Sequence, residues 1–256
     1  MPEPEQYTEL EFNFLEATDA QSILIQVDHG EVVILEAENF HLEVGGQVWL
    51  PDELEYEVNS GEKQILIKAR VNRTGTRNVP LHLEVHVPKD MLVRIETNSA
   101  SVFASNYQGN LDVTSVSGNI TIDQVTGGLT LQSNRGNIAV GDSSGIISMV
   151  GNYGALNAQN VHGETAISTI MGNVMFDGLI QTGDVVRLET DHGTVSVNLS
   201  QASALSIQVR STSGDVTCSV PDINSTTRTC DGKIRSADGT LAIRTVSGAV
   251  TMKLLP

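Results

Sequence analysis

His82, Glu84 and His86 alternate along the run His82-Leu-Glu84-Val-His86, and in a β-strand such alternation puts all three side chains on one face. Same-face neighbours on a strand lie about 6.8 Å apart, so one metal ion could join two of them, and imidazole with carboxylate is a zinc-type donor set. A solvent-facing polar strand edge accounts for the same row without any ligand. The three residues are therefore metal candidates only, and no metal or other cofactor is required by the sequence. A second constellation pairs acid with imidazole: Asp28-His29-Gly30 and Asp191-His192-Gly193 are matching triplets, with His162-Gly163 as a partial third. Each leads into an apolar alternating run, and Asp and Gly are the residues favoured where a chain reverses. Turn chemistry is the expected reading, since no G-x-S-x-G or other nucleophile motif accompanies the histidines.

Any such side chains must be positioned by strands. The apolar residues are mostly Val, Ile and Leu spaced two apart, and no window of 11 or more residues carries a helical stripe. Glycine recurs every nine residues at Gly109, Gly118, Gly127, Gly136, Gly145, Gly154, Gly163 and Gly172. The second position after each is Leu111, Ile120, Leu129, Ile138, Ile147, Leu156, Thr165 and Val174; the fourth is Val113, Ile122, Leu131, Val140, Met149, Ala158, Ile167 and Phe176. The residues between them are mostly small or polar. Each unit reads as a corner glycine, expected at positive φ, followed by a short strand with one face inward. A strand this short cannot bury its apolar face alone, so the units must stack as an all-β parallel β-helix or solenoid. Two units make a coil of about 18 residues, lengthening to about 21 after Gly172, where glycines follow at 21-residue steps at Gly193 and Gly214. Asn110, Asn119, Asn137 and Asn173 follow corner glycines and are expected to bond to turn backbone.

Organisation follows from the same pattern. Residues 1–7 form an acidic tail expected to be disordered. Residues 8–100 form an irregular β capping region, with strands expected at Glu11–Phe14, Ser22–Val27, Glu31–Leu35, Lys63–Ala69, Leu81–Val87 and Leu92–Thr97. Residues 101–256 are the solenoid, continuous with the cap as one domain. The chain closes on Val250-Thr-Met252-Lys-Leu254-Leu255-Pro256, a strand-like run with little to protect its edge, so self-association through the C-terminal coils is expected.

Charge and cysteine narrow the partners. Residues 1–62 hold 16 Asp and Glu and no Lys or Arg, which accounts for the whole formal net charge of -16. That excess disfavours nucleic acid and anionic membrane as partners, since both need basic patches, so neither nucleic-acid binding nor membrane insertion is expected. It suits a solvated surface, or a face for a basic partner or divalent cations. Asp112, Asp123, Asp142 and Asp177 fall in three different columns of the repeat, so the carboxylate ladder of a calcium-binding β-roll is not built. Met1-Pro2-Glu3-Pro4-Glu5-Gln6 has neither the basic start nor the apolar stretch of a secretory signal, and no run of about 18 apolar residues follows. A cytoplasmic location is the expectation from the sequence as written, and the cell surface is the alternative if a leader was removed. Cys218 and Cys230 are too few for a disulfide scaffold, so free thiols are expected, with one bridge open in an oxidising compartment.

The segment Val79-Pro-Leu-His-Leu-Glu-Val-His-Val87-Pro88, then Leu92-Val-Arg-Ile-Glu-Thr97 and Ser115-Val-Ser-Gly-Asn-Ile-Thr-Ile122, resembles the bacterial putative-adhesin family of β-strand-repeat proteins. Ser211-Thr-Ser-Gly-Asp-Val-Thr217 and Arg244-Thr-Val-Ser-Gly-Ala-Val-Thr251 repeat the signature, and the resemblance covers roughly residues 20 to 254. It implies a right-handed β-helix, an adhesive or scaffolding role and no catalytic residue. The rival class is a polysaccharide-active or polysaccharide-binding β-helix. Such chemistry needs clustered carboxylates beside a base, and sugar binding favours exposed aromatics; residues 109–180 supply only Arg135 as a strong base and only Tyr153 and Phe176 as aromatics.

Overall fold

The computed structural model describes residues 10–12, 20–38, 41–46, 54–60, 63–71, 81–221, 223–235 and 238–255, and every regular element among them is a β-strand. The expected acidic tail lies outside these residues, as does part of the expected strand Glu11–Phe14. The chain divides into two compact units, Met1–Gly127 and Gly128–Pro256.

In the first unit a coil is a pair of strands joined by a sharp corner. β2 (Ser22–Val27) and β3 (Glu31–Glu36) form one, β6 (Gln64–Val71) and β7 (Leu81–Val87) the next in sequence, then β8 (Leu92–Thr97) with β9 (Ser101–Gln108), then β10 (Asn110–Ser115) with the first half of β11 (Ile120–Ser133). Pairing between coils is parallel. Leu92 faces Asn110 and Val102 faces Ile120, a step of 18 residues. The coils do not stack in chain order, however. β2 lies between β6 and β8, and β3 between β7 and β9. The first coil of the chain is thus interior, and the β6–β7 coil is laid outside it afterwards.

This corrects the expected irregular cap over residues 8–100, since parallel coils begin at Ser22. What covers the outer edge is antiparallel: β5 (Leu54–Ser60) on β6, β4 (His41–Gly46) on β7, and β1 (Leu10–Phe12) on β4. Strands of reversed direction end the parallel register, which is one way of closing a sheet to further addition.

The second unit repeats the scheme. β12 (Ile138–Gly141) pairs with β14 (Leu156–Gln159), and β13 (Ser144–Gly151) with β15 (His162–Thr169), at 18 residues. The step to β17 (Val185–Thr190) and from β16 (Val174–Gly178) to β18 (Val195–Leu199) is 21. The added residues sit in the turn before β17, where buried Asp184 accepts backbone N–H groups from Gly163 and Gln181, both at 2.8 Å.

Beyond β18 the chain leaves a gap. β19 (Leu205–Ser211) and β20 (Val216–Ser219) are laid one coil further out; β21 (Asn224–Ser225) and β22 (Thr229–Ile234) add antiparallel strands; then β23 (Gly239–Thr245) and β24 (Val250–Leu254) return to fill it. β23 pairs with both β17 and β19, and β24 with both β18 and β20. Two expectations change accordingly. The 21-residue step from Gly193 to Gly214 is not a step between adjacent coils, because Gly248 stands between them. The run Val250–Leu254 is not an open edge, so the strand on which C-terminal self-association was argued is paired on both sides.

All sixteen second and fourth positions after the repeat glycines are buried. They form continuous columns, such as Val140, Ala158, Phe176, Val197, Met252 and Cys218 along β12, β14, β16, β18, β24 and β20. A third inward position went unread in the sequence: Tyr107, Val125, Ser143 and Val161 fill the corner between the two strands. The preceding residue can turn them inward because Asn106, Gln124, Asp142 and Asn160 adopt left-handed backbone at φ 51, 54, 44 and 50°. Three of those four are Asn or Asp, the types that tolerate it best.

Thr165 is the one polar member of the sixteen. It sits between Ile147 and Val186 on the flanking strands, fully buried, and its hydroxyl has no hydrogen-bond partner among the described residues. Removing an unsatisfied buried hydroxyl while keeping the branched shape should relieve its desolvation cost. Thr165→Val is expected to raise stability by about 1–2 kcal/mol, read as a higher denaturation midpoint at constant slope; a midpoint that falls would show that the hydroxyl has a partner.

Candidate functional site

Seven of the eight repeat glycines serve two kinds of corner. At Gly127, Gly145 and Gly163 the backbone is at φ 148, 132 and 102°, where only glycine is at ease. Gly118, Gly136, Gly154 and Gly172 do not have positive φ. The expectation that Gly136 is needed for positive φ is therefore corrected. At Gly118, Gly154 and Gly172 the need is space, since a Cβ on Gly154 would overlap the carbonyl oxygen of Gly136 one coil away, and one on Gly172 would overlap that of Gly154.

At the close-approach corners a hydroxyl three residues earlier caps the glycine. The N–H of Gly118 donates to Ser115 Oγ at 2.7 Å, that of Gly136 to Ser133 Oγ at 2.9 Å, that of Gly172 to Thr169 Oγ1 at 3.0 Å and that of Gly248 to Thr245 Oγ1 at 2.9 Å. This is what the S/T-x-x-G signature does. The Asn side chains after these glycines span coils as expected: Asn137 Oδ1 accepts from Ala155 N at 2.8 Å, and Asn173 Oδ1 from Thr194 N at 3.0 Å.

The two Asp-His-Gly triplets each lie at the corner between the two strands of a coil, one in each unit, although Gly30 has positive φ and Gly193 does not. Each histidine meets a serine of the adjacent coil, a convergence that sequence spacing could not reveal. His192 Nδ1 lies 2.7 Å from Ser247 Oγ, and His29 Nδ1 likewise contacts Ser99 Oγ. An imidazole beside a serine hydroxyl is the beginning of a nucleophile and base pair. Backbone competes for the serine here. Ser247 Oγ also lies 3.2 Å from the Asp191 carbonyl oxygen, to which it can donate. The serine is thereby tied to the corner backbone as well as to the imidazole.

His82, Glu84 and His86 do share one face of β7. His82 Nδ1 bonds to Glu31 Oε2 at 2.8 Å across to β3, and His86 Nε2 to Glu84 Oε1 at 2.8 Å. The row is a chain of charge-assisted contacts on a half-exposed face. Among the described residues, no group of three or more His, Cys, Asp or Glu converges to hold a metal ion. The dispersed aspartates also have cross-coil partners: Arg94 Nε donates to Asp112 at 3.0 Å, and Asn160 Nδ2 to Asp142 at 3.1 Å. Tyr107, wholly buried, donates to the Met91 carbonyl oxygen, and burial, reinforced by Glu36 and Asp90, pushes its phenol well above the ordinary tyrosine range. Cys218 and Cys230 are joined in a disulfide, contrary to the free thiols expected. β20 and β22 bring them together, an approach that a separation of 12 residues in the chain does not disclose.

One surface feature stands apart. Successive corners of the second unit stack by backbone bonds from Tyr153 N to Asn134 O, Met171 N to Asn152 O and His192 N to Ile170 O. Tyr153, Met171 and Ile170 project from them at 60, 55 and 48% exposure, and Val150 lies beside them on β13. They form an apolar ridge on a rigid edge.

The model of the family described as Toastrack DUF4097 matches residues 20–253. The chain belongs to this Toastrack family. A solved structure from Bacteroides fragilis, called a putative adhesin, is 9% identical, covers 98% of either chain and superposes with a TM-score of 0.53. Another putative adhesin, from Parabacteroides merdae, is 12% identical over 98% of this chain and 96% of its own, with a TM-score of 0.48. The Bacteroides fragilis superposition shows a shared all-β fold and nothing finer. No functionally curated protein matches the chain.

The hydrogen bonding at the Toastrack corners leads to a chemical expectation. Intact protein treated with a fluorophosphonate probe should show no adduct at Ser99 or Ser247 by mass spectrometry; labelling of either, lost on His29→Ala or His192→Ala, would mean that the histidine activates it.

Proposed function

We propose that this Toastrack protein is a non-catalytic adhesion module, in which the stacked coils are a scaffold and the corner ridge of the second unit meets a protein or cell-surface partner. The ridge of Val150, Tyr153, Ile170 and Met171 carries this reading. Large apolar side chains on backbone that is fixed by inter-coil bonds offer contact area with little ordering cost, which favours binding. The serine and histidine corners support it from the other side, since their polar groups are spent on holding turns. The structural neighbour called a putative adhesin is consistent with the role.

The reading is tested by coating beads with the whole chain and measuring their adherence to bacterial cells and to extracellular-matrix proteins. Tyr153→Ser with Met171→Ser should reduce adherence at least about fivefold without lowering the melting temperature, since both side chains are exposed. Unchanged adherence would remove the ridge from the interaction.

We infer further that the protein works outside the reducing cytosol, with right-handed coils as the usual crossover rule demands. The Cys218–Cys230 bond supports the location, because disulfides persist in oxidising compartments. Alkylation with a maleimide in unbroken native cells should leave both cysteines unmodified until a reductant is added; immediate labelling of both would place the protein among reduced ones.

A further inference from the structure

The outward face of the last coils of the second unit is hollowed. Arg187 on β17, Ala242 on β23 and Gln208 on β19 stand directly opposite one another, and the next row is Glu189, Arg244 and Arg210. Ala242 has no bulk above the sheet, so the larger side chains around it enclose a hollow of about 380 Å³. A second hollow of about 750 Å³ adjoins it, sharing Arg187, Gln208, Arg210 and Ala242 and reaching Lys233 on β22. Together they make an open trough across four strands.

Its charge is unlike that of the chain. The first hollow is lined by three arginines against one glutamate, in a protein of net charge -16. Arg187 is paired with Glu164 at 2.8 Å and Arg210 with Asp231. Among the described residues, no ion pair or hydrogen bond engages the Arg244 guanidinium. Arg244 and Arg210 face each other on adjacent strands, and like charges so placed repel. An anion lying between them would remove that cost and take up the open donors, because a guanidinium presents a fork that matches a carboxylate.

We propose that this trough binds an acidic polysaccharide, with uronate carboxylates docking on Arg244, Arg210 and Arg187. The remaining surface decides between sugar and peptide. Gln208, Ser206, Thr212 and Thr240 line the trough with neutral donors and acceptors suited to sugar hydroxyls, and the trough is open along its length, as a chain ligand requires. The site is separate from the apolar corner ridge and stands independently of it.

Titration calorimetry of the whole chain with oligogalacturonate, a neutral oligoglucan of equal length and polyglutamate tests this. Binding is expected for oligogalacturonate alone, weakening as salt is raised. Arg244→Gln should weaken it about tenfold, as loss of a charged hydrogen-bonding partner does, and Glu189→Gln should strengthen it. Both side chains are exposed, so melting temperatures should not move. Tyr153→Ser should bind oligogalacturonate like the parent, so failure here leaves the ridge reading untouched. Absence of oligogalacturonate binding, equal binding of the neutral glucan, equal binding of polyglutamate, or an unaltered Arg244→Gln affinity would each overturn the proposal.

Discussion

Adjacent coils must approach to the strand spacing of about 4.8 Å all the way round, corners included. Along a strand this is routine. At a corner the backbone reverses direction, and its own atoms crowd the coil next to it. Gly154 and Gly172 meet this by having no Cβ where the neighbouring carbonyl oxygen sits. The Ser or Thr three residues earlier answers the other demand, satisfying a backbone N–H that the corner removes from the ladder. Once the corners stack, the inward residues of successive strands fall into columns, and the apolar core follows from the register.

The same constraint makes the ends a problem, because any parallel coil offers its outer edge to another. Both units respond with antiparallel strands, β4 and β5 in one, β22 in the other. Both also place the coil nearest the chain terminus inside the stack. Ser22–Glu36 and Gly239–Leu254 are each paired on both sides, so the terminal coils are among the best held of their units. The Cys218–Cys230 bond then ties β20 to β22 where the C-terminal stack stops, closing a short loop that in chain-entropy terms contributes about 3 kcal/mol.

A scaffold of this kind leaves chemistry to whatever faces outward. Inward side chains are consumed by the columns, and corner hydroxyls and amides by inter-coil bonds, which is why the His192 and Ser247 pair is a brace in spite of its composition. The outward face is free to vary from strand to strand. In the second unit it carries an apolar ridge at the corners and a basic trough over the strands, two surfaces of opposite character held by one register.

By itself, the sequence determined the strand and corner alternation, the 18-residue coil, the inward sets such as Ile120 with Ile122, and family membership, because each depends on local periodicity that repeats. The reason for glycine was legible only in part: spacing located Gly154 and Gly145 alike, yet one needs room and the other has positive φ. Tertiary structure alone decided the rest. Which coil lies beside which is set by pairing over 55 residues for β18 with β24, and no local pattern records that Gly248 rather than Gly214 follows Gly193. The meetings of His192 with Ser247, Cys218 with Cys230, and Arg244 with Arg210 are consequences of that order. They join residues distant in the chain, whose spacing carries no period, so only the stacked backbone could bring them together.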